Sequence, residues 1–204
     1  MISLNRDIMI RSFTLLAAFA LFTRQGAQLG TVMLAANAVL MNVFMIASFV
    51  LDGFATAAEQ LAGRAVGARY AEAFRRTVWL TALWGFTLAA IASLLALAFG
   101  AELIAVITTA EDVRAVAASY LPWAAFTALS GVLAFQMDGV FIGATWSRDM
   151  RNMMLASFLI FAAALYVLAP AFGNNGLWAA LHIFLLCRGF SLLATLRFKL
   201  KTEF

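Results

Sequence analysis

Two aspartates, two arginines and one histidine lie inside long apolar stretches: Asp52, Asp138, Arg11, Arg188 and His182. An ionised group at mid-membrane costs ~2.5–3.5 kcal/mol on insertion scales, so each needs a partner, water or a function. Asp138 stands out. Gln136 precedes it, and Gly139 with Gly143 forms a G-x-x-x-G pair that lets another helix approach closely. Facing a wet cavity, this carboxyl would bind a proton, a sodium ion or a cationic substrate. A structural ion pair with Arg188 or Arg11 is the competing reading.

Asp52 and Glu59 are seven residues apart and so share one helix face, with Thr56 between them. The pair could bind a cation, or Asp52 could pair locally with the arginines that follow. Asn37 and Asn42 lie deeper in the same stretch, either as interhelical hydrogen-bonding groups or as pathway lining. Arg188 would neutralise a bundle carboxylate or snorkel outward, and Arg11 is expected to snorkel to the headgroups. His182 could shuttle protons or stand by. The echo between Leu51-Asp52-Gly53-Phe54 and Met137-Asp138-Gly139-Val140-Phe141 does not fit a three-helix repeat and reads as coincidence.

Enzyme signatures are missing. There is no H-E-x-x-H, G-x-S-x-G or P-loop pattern, and Ser130 and Ser191 have no evident basic partner. The single cysteine, Cys187, can form neither an intrachain disulfide nor a metal cluster. No catalytic residue, metal site or cofactor is expected.

The elements that position these residues are apolar helices. An apolar run of ~20 residues spans the ~30 Å hydrocarbon core. Six runs qualify, over residues 8–23, 32–53, 77–99, 121–145, 150–172 and 177–196. The composition, 65% hydrophobic and 12% charged, belongs to a membrane protein, since a soluble domain carries about twice that charged fraction. The fold class is therefore an all-α membrane protein, one six-helix bundle over residues 1–204 with the lipid bilayer as partner. Arg6, Arg64, Arg69, Arg75, Arg76, Arg148, Arg151, Arg197, Lys199 and Lys201 fall on one side of that ladder. Only Arg24 and Arg114 fall on the other. The basic side is expected in the cytoplasm, with both termini inside and the chain in the inner (plasma) membrane. Topology thus explains the net charge of +4, and no nucleic-acid role is expected.

Connections are expected at 24–31, with Gly26 and Gly30 as breakers, and at 57–76, as a helical extension followed by an amphipathic segment. Residues 102–114 should lie along the outer interface. Pro122 should kink its helix or mark the true start of the span. Residues 173–176, Gly-Asn-Asn-Gly, read as a tight turn. Trp79, Trp123, Trp146 and Trp178 all fall near proposed span ends, where indole rings favour the interface.

Residues 32–69, VMLAANAVLMNVFMIASFVLDGFATAAEQLAGRAVGAR, resemble the seventh and eighth helices of the multidrug and toxic compound extrusion (MATE) family. Residues 135–154, FQMDGVFIGATWSRDMRNMM, and 173–189, GNNGLWAALHIFLLCRG, point to its DNA-damage-inducible F branch. The resemblance covers essentially the whole chain. It implies one half of a twelve-helix transporter, the carboxy-terminal bundle, with an amino-terminal six-helix bundle as partner and a cavity between them. It further implies export of organic cations or other amphipathic compounds in exchange for protons or, as the lesser choice, sodium. The sodium-using branch carries an acid in its seventh helix, and the matching residues 13–22 have none. Asp138 falls at or near an acidic position of that branch. The site residues on this reading are Asp138, Asp52, Gln136, Asn37 and Arg188. The alternative function is a non-transporting membrane scaffold or regulatory module, or an inactive transporter fragment.

Overall fold

The computed structural model describes residues 2–202, with side chains over 5–201. Six helices follow one another: α1 (Ile2–Gln28), α2 (Thr31–Gly67), α3 (Ala71–Ile107), α4 (Glu111–Gly143), α5 (Ser147–Phe172) and α6 (Asn174–Thr202). Five of them, α2 to α6, are long and apolar enough to cross a membrane. The α1 helix falls short of that measure, with Arg6, Asp7 and Arg11 towards one end and Arg24 towards the other.

Helices run further than the sequence expectation, and the connections shrink. The 37 residues of α2 carry the chain about 55 Å at 1.5 Å per residue, well beyond the apolar core. The helical extension expected after residue 53 is present, and the arginines after it open α3. The interfacial loop expected at 102–114 is instead the last turns of α3 and the first of α4, with Ile104 buried. Arg114 closes the turn between them, donating from Nε to the Thr108 carbonyl (2.7 Å) and from Nη2 to that of Ala105 (2.8 Å). A guanidinium there satisfies orphan carbonyls and complements the helix dipole. The turn at 173–176 reduces to Gly173, whose φ of 57° a glycine adopts without strain.

The α2 and α4 helices end in the same way. Tyr70 N–H returns to Ala65 O and Arg69 N–H to Val66 O, both 3.0 Å. Trp146 N–H returns to Phe141 O (2.9 Å) and Thr145 N–H to Ile142 O (3.0 Å). Arg69 (φ 50°) and Thr145 (φ 62°) take the left-handed position of this Schellman geometry.

The α4 helix is the central post, buried over most of its length, while α3 and α5 face outward. Pro122 neither starts nor ends α4. The next three carbonyls each receive a side-chain donor: Trp123 O from His182 Nε2, Ala124 O from Thr127 Oγ1, and Ala125 O from Ser93 Oγ. Two of these bonds, from His182 and Ser93, tie α4 to α6 and α3 just beyond the proline. The apolar core at this level includes Leu40, Phe44, Phe161, Trp178, Leu181 and Phe184. Trp178 and Trp146 are core residues rather than interfacial anchors, whereas Trp79 is 62% exposed.

Candidate functional site

A backbone-to-backbone helix contact builds the site. A Cβ on Gly139 would stand 2.0 Å from the Ala55 carbonyl oxygen, and one on Gly143 would stand 2.0 Å from that of Glu59. The G-x-x-x-G pair therefore brings α4 backbone to backbone with α2, as its spacing suggests. That contact sets Asp138 of α4 beside the Asp52–Glu59 face of α2.

A polar cavity of about 410 Å³ opens there, lined by Arg11, Asp52, Thr56, Glu59, Asp138 and Arg188 among others. Asp138 is its centre. Its Oδ2 accepts from Arg11 Nη1 at 2.7 Å and also from Arg188 Nη2. Arg188 is 2% exposed, and its guanidinium lies 6.0 Å from the Phe135 ring centroid, a cation–π contact. Asp52 is exposed and feels both guanidiniums at electrostatic range. Three buried polar atoms of this group, Asp138 Oδ1, Arg11 Nε and Arg188 Nε, have no hydrogen-bond partner. An unsatisfied buried polar atom is costly, so its presence in a cavity signals a place for water, a proton or a ligand.

Fully ionised, the cavity's three carboxylates and two guanidiniums leave one excess negative charge. Arg11 does not snorkel to the headgroups; it turns into the bundle because Asp138 offers a nearer opposite charge. Asp52 likewise faces α1 and α6, not the arginines that follow it. The two Asp-Gly segments, read as coincidence, look into one cavity.

Gln136 and Asn37 stand apart from it. Gln136 donates to Val78 O (2.7 Å) and Thr81 Oγ1 (2.9 Å), pinning α4 to α3 on the opposite face. Asn37 lies near the other end of the bundle in a closed amide cluster. Its Nδ2 donates to Asn174 Oδ1 (2.7 Å), and its Oδ1 accepts from Asn174 Nδ2 (3.1 Å) and Trp178 Nε1 (3.0 Å). Both do the work of interhelical hydrogen bonds.

Two pairings escaped sequence reasoning. Ser130 does have a basic neighbour: its Oγ lies 2.8 Å from His182 Nδ1, while His182 Nε2 is spent on the Trp123 carbonyl. With both ring nitrogens engaged, the pair ties α6 to α4. Asp7 is 2% exposed and binds Arg151 Nη1 at 2.6 Å and Ser147 Oγ at 3.3 Å, joining α1 to α5. Burial alone would raise its pKa, but the guanidiniums of Arg151 and Arg6 outweigh that and hold it below 3.8. The only sequence signal for this pair was an acid just outside the first apolar run.

Fold and site together define a multi-pass membrane protein with ionisable groups gathered on a cavity between helices. The MatE family model matches residues 8–168, and the chain belongs to the MATE family. It is 40% identical over 198 residues to DNA damage-inducible protein F of Escherichia coli K12, covering 97% of this chain and 43% of that protein. It is 26% identical over 180 residues to the chloroplastic Protein DETOXIFICATION 44 of Arabidopsis thaliana, covering 87% and 34%. Among solved structures, a mutant of the Vibrio cholerae MATE transporter VcmN superposes with a TM-score of 0.86 at 17% identity, covering 99% of this chain and 46% of that one. A MATE structure in a bent conformation gives 0.83 at 18% identity, covering 99% and 46%. The chain thus spans less than half the length of the relatives it matches.

Proposed function

We propose that this bundle is one half of a secondary active efflux antiporter that exports organic cations or amphipathic toxic compounds in exchange for protons. The observation that carries this reading is the cavity's single excess negative charge, with unpaired polar atoms around Asp138. One bound proton cancels that charge. A proton and a monovalent cation therefore compete, which is the thermodynamic requirement for exchange. Sodium is the weaker choice, because the sodium-using branch carries an acid in its seventh helix and the matching residues 13–22 have none.

Asp138 and Asp52 supply the acidic groups. Arg188 and Arg11 hold Asp138 when no cation is present, which lowers the cost of a charge at this depth. Asp52 and Thr56 are exposed beside the cavity, a surface ill suited to lipid. A second six-helix bundle over this face would close the cavity, in keeping with relatives more than twice this length. Rocking of two bundles about a shared site is a known route to alternating access. On this reading the basic end faces the cytoplasm, in the inner (plasma) membrane with both termini inside, because an excess of Lys and Arg favours the cytoplasmic side.

The test is ethidium efflux from cells producing this bundle together with an amino-terminal six-helix bundle. Asp52→Asn with Glu59→Gln removes two negative charges and should abolish efflux at unchanged protein level. Undiminished efflux would exclude a cation site here. Lack of efflux even with both wild-type bundles would favour a scaffold role.

A further inference from the structure

On the side of the bundle away from the charged cavity, α3, α4 and α6 enclose a second cavity of about 440 Å³. Its walls run in a definite order along the helix axes. Arg75 stands at the basic end, Trp79 one turn deeper, and Phe86 two turns beyond that, all on one face of α3. Leu200, Leu193 and Phe190 line the α6 side from the same end inwards. Arg197 lies four residues after Leu193 and three before Leu200, on the same stripe of α6, and is exposed. Arg75 thus lines the mouth of a groove whose other walls are apolar except for Gln136, and Arg197 lies on the stripe of α6 between two lining residues. Gln136 fixes the floor through Nε2, which donates to α3, while its buried Oε1 has no hydrogen-bond partner.

We propose that this groove is a binding site for one anionic phospholipid, its phosphate between Arg75 and Arg197 and an acyl chain along Trp79, Met137 and Leu193. The order of charge, indole and hydrocarbon matches the order of groups in a phospholipid seated in one leaflet. The two cations select an anionic headgroup over a zwitterionic one. A bound lipid would brace α3 against α6, both of which pack on α4. The site is independent of the cation cavity, since neither Arg75 nor Arg197 lines it.

The test is lipid competition read by native mass spectrometry on the purified full chain, released from mixed micelles of equimolar phosphatidylglycerol and phosphatidylcholine. Retained phosphatidylglycerol should exceed phosphatidylcholine by about fivefold for each arginine, the factor expected for one cation near an anionic surface. Arg75→Gln with Arg197→Gln should bring the two lipids to parity. Ala82→Phe should fill the groove and reduce retention of both. Arg64→Gln with Arg148→Gln, away from the groove, should leave the preference intact. Equal retention by the wild-type chain overturns the proposal without recourse to any variant. So does a preference that survives loss of Arg75 and Arg197, or one that vanishes in the Arg64 and Arg148 control. Addition of inorganic phosphate should not displace the lipid, and displacement would mean that a free-phosphate site had been mistaken for a lipid site.

Discussion

Two buried polar clusters, one towards each end of the bundle, are built on opposite principles. The Asn37–Asn174–Trp178 group is neutral, and both the Nδ2 and the Oδ1 of Asn37 have partners within 3.1 Å. The Asp138–Arg11–Arg188 group is charged, adjoins a cavity and leaves three buried polar atoms unpaired. A closed amide cluster can only hold helices together. An open ionic one stores interactions that a proton or cation can complete, and it is worth its cost only where something binds.

The largest expected effect removes the contact that builds the cavity. Gly143→Leu drives a side chain into the Glu59 carbonyl, where even a Cβ stands at 2.0 Å. The cost should exceed the ~1–3 kcal/mol of ordinary overpacking, because both groups are backbone. Recovery of monodisperse protein in detergent should collapse, and normal recovery would refute the close α2–α4 contact.

Asp138→Leu comes next. It strands two guanidiniums and should destabilise the bundle by ~3–5 kcal/mol, the penalty for breaking one side of a buried ion pair. Asn37→Leu should cost ~1–3 kcal/mol through the unpaired Asn174 and Trp178 groups. Thermal unfolding in detergent measures both. An equal loss from the two substitutions would erase the distinction between the clusters.

The smallest effect lies at the Asp7–Arg151 pair, which joins helices without a cavity. Its folded pKa is depressed, so its stabilisation is fully present above the ordinary value of 3.8 and is lost as pH falls through the lower folded value. Asp7→Asn should abolish that acid sensitivity and leave stability near neutrality modestly lower. An unchanged acid limb in thermal unfolding would remove Asp7 from it.

Legibility followed the range of the interaction. The six helices and the G-x-x-x-G contact of Gly139 and Gly143 were readable because hydropathy and small-residue spacing are local. Asp138, Asp52 and Arg188 were readable because a charge in an apolar run is conspicuous. The pairing of Asp138 with Arg188 or Arg11 was one of the two readings of that aspartate, and both pairs form; the Asp7–Arg151 pair was not readable. Arg11 reaches Asp138 across 127 positions of sequence, and Asp7 reaches Arg151 across 144. Gln136 lies two residues from Asp138, yet successive helical positions fan around the axis, so proximity in sequence placed it on the wrong face. Pro122 does not mark the start of its helix, because α4 already begins at Glu111.

The most direct measurement sets Asp138→Asn beside Asn37→Leu in the same ethidium-efflux assay, with both bundles present and protein levels matched. Asp138→Asn keeps the shape and removes the charge, so efflux should fall to background. Asn37→Leu, though less stable, should retain it. Efflux that survives in Asp138→Asn and fails in Asn37→Leu would contradict the assignment of function to the charged cavity.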